Sequence, residues 1–290
     1  MASPPSKDAI SGSGATPSNA QARAGFGALW ENLWGAGGLL GASGLPSDAR
    51  VALGIGSVFS FRNKLINGGF ALNQRGYASG AATVSSNQYT LDRWRVVTLG
   101  QALTYSASAP GNAVVAPAGG IEQVIEGNNI EGGVYTLSWV GAGTATVNGA
   151  AVANGGQTVA LAAGANVTVK FIGAVAKAQF EFGSVATPFE QRHAALELFL
   201  CQRYFETGSL KMTSAYPGGS SNAQLTTTIC FKATKRAAPT MTQLGTSTSS
   251  NVSANSFVSP DTNGAAVNMV IGAAAGLYSL NLDWTASAEL

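Results

Sequence analysis

Groups able to do covalent chemistry are few in this chain. A serine or cysteine nucleophile needs an adjacent base, and a single histidine, His193, is available for that role. His193 lies in FEQRHAALELFLCQRYF, where the spacing of apolar residues predicts a helix, so it reads as a residue of the first helical turn. Cys201 and Cys230 are too few for a disulfide framework or a four-ligand zinc site. They are expected to be buried free thiols, with a single bridge as the alternative. The sequence contains no HExxH and no Walker-type glycine loop. Glycoside hydrolysis needs only two carboxylates, and Glu122 and Glu126 in GGIEQVIEG share one face of an expected strand. Four residues at about 3.3 Å each place them about 13 Å apart, beyond the roughly 5 to 9.5 Å used by such enzymes. With 14 acidic residues, a pair assembled from distant positions is the remaining route to a glycan-degrading enzyme. No catalytic residue, metal ligand or cofactor is assigned, and the chemistry to expect is binding.

Composition indicates the scaffold that must present a binding surface. Only 10% of the 290 residues are Asp, Glu, Lys or Arg, and 37 are glycine; ordinary soluble domains have about 25% charged residues and about 7% glycine. Long surface helices are normally charged and avoid glycine, whereas short strands joined by tight turns tolerate both features, so a mainly β chain is expected. The net charge is +2, and the densest basic cluster is Lys232, Lys235 and Arg236. That is no stripe for nucleic acid. The opening MASPPSKDAISGSGATP lacks the apolar core of a signal peptide, and no run of about 20 residues is apolar without a charge or glycine break, so no membrane insertion is expected.

Four segments follow along the chain. Residues 1–58 read as an extended arm followed by an amphipathic helix: Ser18 and Gln21 have the form of a capping box, and Phe26, Leu29, Trp30, Leu33 and Trp34 make one apolar face. That face packs either on this chain's own β region or on identical helices or a partner's groove. The second reading is favoured because about twenty flexible residues separate the helix from the strands. Residues 59–192 read as short strands: NKLINGGFAL, QYTLDRWRVV, LTYSAS, GGIEQVIEG, VYTLSWVG, TATVNG, QTVALAAG, NVTVKFIG and KAQFEFGS. Their number and spacing suit an antiparallel jelly-roll β-sandwich, with Trp94 and Trp139 on strands and in the core. Residues 193–208 form a connector helix with Leu196, Phe199, Leu200 and Tyr204 as its packing stripe. Residues 209–290 return to strands, TTTICFKA, TMTQL, AAVNMVIG and YSLNLDW, as a smaller C-terminal β domain.

Three strings occur in order: NKLINGGFALNQRG, then LDRW (Leu91 to Trp94), then GSVATPFEQR (Gly183 to Arg192) leading into LCQRYFE (Leu200 to Glu206). Together they resemble a family of bacteriophage tail-fibre and related virion proteins built on a carbohydrate-binding-module-like jelly roll. KRAAPTMT and ASAEL are loosely similar to the endings of such fibres. The resemblance covers residues 63 to 240 well. Read as residues, the motifs are fold-makers rather than ligand contacts. Asn67, Gly68 and Gly69 permit a turn or bulge at positive φ, Arg93 beside Asp92 supplies pairing on a strand, Pro188 ends the last strand, and Glu190 and Arg192 cap the turn into the helix. Ala71 stands where the family commonly has Asp or Glu near a structural calcium, so no metal is expected. The middle, GAGTATVNGAAVANGGQTVALAAGANVTVKF, is poor in aromatics, and the resemblance there implies shape more than glycan-binding activity.

The resemblance implies a structural virion protein of a tailed phage. It would be a homotrimeric tail fibre attached through residues 1–58 to another tail, baseplate, collar or capsid protein. Its partner outside the particle would be host cell-surface polysaccharide, bound through repeated weak contacts. Tyr216, Tyr278 and Trp284 in the distal domain are the expected platforms for sugar rings. The alternatives are a capsid, collar or neck fibre or spike without dedicated receptor binding and, less favoured, the glycan-degrading enzyme.

Overall fold

A computed structural model describes residues 61–217, 222–271 and 275–290. The arm and the helix face of Phe26, Leu29, Trp30, Leu33 and Trp34 lie outside the described residues. The chain divides into Met1–Arg62 and Asn63–Leu290, and the second unit is mainly β, with antiparallel sheets arranged as sandwiches.

The first part is a nine-stranded sheet that wraps around one core. Its strands are β1 (Gln88–Tyr89), β2 (Arg95–Val96), β3 (Thr104–Ser108), β4 (Gly111–Ile125), β5 (Tyr135–Val140), β6 (Thr144–Val147), β7 (Ala150–Val152), β8 (Gly156–Gln157) and β9 (Val167–Phe182). β9 is the organising strand. Its first half lies between β4 and β6, and its second half pairs with β5. NVTVKFIG and KAQFEFGS are thus one strand, which turns through Gly173 and Lys177 at positive φ instead of stopping. Inward residues of β4, β5, β6 and β9 meet Phe70, Leu91 and Trp94 in one apolar cluster. Within it Trp94 lies 5.0 Å from Phe70 and 5.9 Å from Phe171, and Trp139 meets Phe171 edge-on at 5.4 Å.

Three expected strands are something else. NKLINGGFAL is a run of turns beside β9, because Asn67 and Phe70 take positive φ, and a Cβ on Gly68 would lie 2.3 Å from the Ala178 carbonyl oxygen. Gly68 is therefore required for close approach rather than for a positive φ. QYTLDRWRVV is a hairpin whose tip is LDRW, closed by Thr90 N–H to Trp94 O and by Trp94 N–H to Leu91 O. Trp94 is a core residue on that tip, not on a strand. QTVALAAG pairs only at β8 and at the Gly133–Leu161 bridge.

Helix α1 (Ala194–Gln202) follows, N-capped by His193, whose Nδ1 accepts from Ala195 N–H. It is shorter than expected because Arg203 and Tyr204 turn the chain into a strand. Its buried residues are Cys201 and Gln202, while Phe199 of the expected stripe is exposed. The C-terminal part has two three-stranded sheets, β10–β15–β12 and β11–β14–β13. These strands are β10 (Phe205–Tyr216), β11 (Gln224–Cys230), β12 (Thr240–Ser250), β13 (Val252–Val258), β14 (Gly264–Ile271) and β15 (Gly276–Ser287). The central strands β14 and β15 alternate strictly, with Val267, Met269 and Ile271 facing Leu280, Leu282 and Trp284 in a second core. Trp284 covers Gly208 across the ladder, where a Cβ would lie 2.3 Å from the indole.

Asn67 fixes the turn that replaces the first strand. Its Nδ2 donates to Leu72 O and Asp92 O, and its Oδ1 accepts from Leu72 N–H. Asn67→Ala is expected to cost about 3 kcal/mol in urea denaturation, roughly 1 per hydrogen bond. Asn67→Gly should recover only about 1 to 2 kcal/mol, the part due to the left-handed backbone. Equal stability of the alanine variant and the wild type would show that the turn does not depend on this amide.

Candidate functional site

Two polar clusters and one pair of sheet faces could carry function. The first cluster is built by the three strings. Asn63 acts as a side-chain peptide along β9: Nδ2 donates to Ala178 O at 3.0 Å and Oδ1 accepts from Phe180 N–H at 3.0 Å. Gln123 does the same from β4, exchanging two 2.8 Å bonds with the backbone of Ile66. From FEQR, Glu190 accepts from Asn63 N–H, and its own N–H donates to Gln179 Oε1. Arg192 donates to the carbonyls of Asn63 and Leu65 and faces the carboxylates of Glu190 and Glu197. A cavity of about 130 Å³ opens here, lined by Asn67, Gly69, Ala71, Phe189 and Glu197 among others. Its converging oxygens are held by a guanidinium, and Ala71 adds a methyl group, so they do not make a calcium cage.

The second cluster joins the sandwich to the C-terminal sheets. Asp92 and Arg93, on the LDRW tip, do not pair with each other. Asp92 accepts from the Gln74 side chain at 2.9 Å and from Arg75 at 3.2 Å. Arg93 binds the Glu289 carboxylate and Val124 O, with its guanidinium 3.5 Å from the Tyr204 ring centroid. Arg75 reaches Glu289 as well, at 3.0 Å, and lies 3.7 Å over Phe205. Arg95 and Tyr89 both donate to Leu290 O at 2.7 Å, and Arg236 donates to Ala288 O and Glu289 O. Lys235 and Glu206 form a further pair, 0% and 1% exposed. Burial pushes Asp92 up despite Gln74 and Arg75, whereas burial of Glu126 is outweighed by Arg203 and Tyr204, which hold its carboxyl below the usual range. Burial also pushes the Cys201 thiol well up.

The residues singled out for chemistry are dispersed. His193 is an exposed helix cap, Glu122 pairs with Arg95, and Glu126 pairs with Arg203. Both cysteines are free, but Cys230 is exposed, because β11 directs it to the outer face. Among the described residues no group of three or more His, Cys, Asp or Glu is placed to hold a metal. Tyr278 and Trp284 are 7% and 4% exposed and belong to the second core, with Tyr216 half-buried against it. Neither of the first two presents a ring face to a sugar. Their sequence already carried the sign, since Tyr278, Leu280, Leu282 and Trp284 share one parity. Among the described residues the exposed aromatics are instead Phe61, Phe182 and Phe199, at 50%, 59% and 51%; no alternation pattern distinguishes Phe182 from buried Phe180 two residues earlier.

The outer faces of the C-terminal sheets carry mainly hydroxyl and amide groups, with Lys211 and Asp283 as exposed charges and Leu244 as an exposed apolar residue on the β10–β15–β12 face. Across β10, β15 and β12 the cross-strand rows are Thr207–Thr285–Thr242, Lys211–Asn281–Thr248 and Thr213–Ser279–Ser250. Across β11, β14 and β13 a row of Thr226, Asn268 and Ser256 continues the pattern. Such faces can hydrogen-bond a neutral polyol chain without stripping a charge of its water.

No family model matches the chain, and no curated protein matches it. Among solved structures it is similar to recombinant discoidin II of Dictyostelium discoideum, with 7% identity and a TM-score of 0.25, covering 83% of this chain and 98% of that one. Wild-type discoidin II from the same organism gives 7% identity and a TM-score of 0.23, covering 83% and 96%. Likeness at this level carries no inference about activity.

Two outcomes test the junction. Lys235→Met or Glu206→Gln alone should each cost about 3 to 5 kcal/mol, because the partner charge is left buried. The double variant should cost less than the sum by at least about 1 kcal/mol; additivity in urea denaturation would mean the two do not act as a pair. For Glu126, a folded pKa below its ordinary 4.5 contributes stability above that pH, lost as the pH falls through the folded value. Glu126→Gln should therefore flatten the acid limb of stability measured from about pH 6 down to about pH 3.

Proposed function

We propose that this chain is a structural virion protein of a tailed bacteriophage, a homotrimeric tail fibre. Residues 1–58 attach it to another tail, baseplate, collar or capsid protein, and residues 63–290 project outward to engage host cell-surface polysaccharide. The observation that carries this reading is the closure of the three strings on one another. Asn63 and Asn67 from the first bond β9, Asp92 O and the Trp94 indole, and Glu190 and Arg192 from the third bond Asn63 and Leu65. Strings far apart in the chain that complete each other's hydrogen bonds behave as one folding unit, which supports a shared ancestry for the combination rather than a chance likeness.

Recognition by such a fibre would use its sparsely charged hydroxyl and amide faces. Each contact is weak, and three subunits on several fibres raise the effective concentration. The acids speak for binding over hydrolysis: Asp92, Glu122, Glu126, Glu206 and Glu289 are each committed to a cation.

The test uses the full chain. Light scattering should give three times the 29.3 kDa chain mass, and immunogold against residues 63–290 should decorate one appendage of the particle. Immobilised O-antigen and capsular polysaccharides of the host should retain the trimer with their chain length unchanged. A monomer, undecorated particles, or shortened polysaccharide would each overturn the corresponding part.

A further inference from the structure

We infer that the margin formed by β10 and β11 is the contact between copies of this chain in the C-terminal domain. This rests on the trimeric reading above and adds the surface that makes it.

A three-stranded sheet has two edge strands, so the C-terminal sandwich has four: β10 and β12 on one sheet, β11 and β13 on the other. Free edges present unpaired backbone donors and acceptors to any other strand, and proteins that stay apart guard them with bulges, proline or charge. One margin is guarded. The register of β12 on β15 shifts between Leu244 and Thr248, and that of β13 on β14 shifts between Val252 and Ala254. Side-chain bonds tie these two strands together, from Asn255 to Ser247 and from Ser249 to Val252 O. Among the described residues the opposite margin has none of these bulges or ties. β10 runs in unbroken register with β15 from Phe205 to Tyr216, and β11 does so with β14 from Gln224 to Cys230. Neither strand contains proline, and from Ser209 onward Lys211 is the one charge on β10, while β11 has none.

Behind these regular edges the core is incompletely covered. Leu210 and Met212 on β10 and Leu225 on β11 point to the second core but stay half-buried, as Met241, Val252 and Phe257 do at the other margin, whereas Leu280, Leu282 and Met269 on the central strands are enclosed; the margins differ in the regularity of their edges. A long unguarded edge over a half-open apolar seam is completed by another β margin of the same kind. The occupant is a second copy because the margin is almost uncharged and therefore does not repel itself, and because neighbouring copies in a fibre are the strands at highest local concentration. Convergence of three such margins would bury Leu210, Met212 and Leu225 in one shared core and satisfy the outward amides of β10.

The experiment adds the missing guard. Thr213→Lys with Ala215→Lys places two charges on exposed positions of β10, where the fold has no need of the wild-type side chains. The same substitutions at exposed Thr246 and Ser250 on the bulged edge serve as the control. In full-length protein followed by light scattering on dilution, the β10 pair should weaken association at least about tenfold, and the β12 pair should leave it unchanged. Hydrogen exchange on the unmodified chain needs no variant: β10 amides not bonded to β15 should exchange slowly in the trimer and rapidly on dilution. A trimer indifferent to the β10 lysines, with fast-exchanging β10 amides, overturns this contact and leaves the trimeric reading standing. A wild-type monomer at all concentrations overturns both.

Discussion

A guanidinium sealed from water must find acceptors inside the protein, and Arg93, whose Nε alone is left without one, sets that condition for the whole of Asn63–Leu290. It sits on a hairpin tip at positive φ, where an ordinary residue is strained. Its two terminal nitrogens are met by the Glu289 carboxylate and Val124 O, and its flat face by Tyr204. Those partners come from the chain's end, from the long strand β4 and from the exit of helix α1. Until all three are in place, the charge is buried at a cost of several kcal/mol. The sandwich, the connector and the last residues are thereby committed to one arrangement. Glu289, held by both Arg93 and Arg75, gives the final residues a structural task that their position in the sequence does not suggest.

Solvent-free charge also explains why arginine rather than lysine does this work. A planar fork can bind two oxygens and stack on a ring at once, which is what Arg75 does with Asp92, Glu289 and Phe205. Lys235 is the exception. Its point charge is satisfied by Glu206 and by Gln202 O, and Phe231 lies 4.7 Å away as a further face.

Alternation was the most legible signal. β3, β5, β6, β11, β14 and β15 fall where apolar and polar residues trade places, and the low charge and high glycine content foretold the β class. The less legible segments are those where side chains replace backbone in the hydrogen-bonding scheme. NKLINGGFAL has the composition of a strand, but Asn63, Asn67 and Gln123 supply amide groups that mimic a neighbouring strand, and the chain can turn while staying bonded. Around LDRW, Leu91, Trp94 and Val96 have the apolar pattern of a strand, and the positive φ of Arg93 that makes a hairpin tip leaves no compositional trace. The distal aromatics are a different case. Tyr278 and Trp284 carry rings suited to a sugar platform, but the parity they share with Leu280 and Leu282 places them in the second core.

The scarcity of charge acquires a location once these contacts are assembled. All six arginines between Asn63 and Leu290, at positions 75, 93, 95, 192, 203 and 236, hold a carboxylate or a carbonyl in one of the two internal clusters. Most strong electrostatics are thus used inside, where low dielectric makes each pair specific, and the outer sheets carry mainly hydroxyls and amides with Lys211 and Asp283 as the exceptions on the β10–β15–β12 face. A grid with so few charges has little long-range field with which to steer or repel a partner. Its contacts depend on close fit and on repetition, so a chain that binds this way has a physical reason to present several copies of the same face at once.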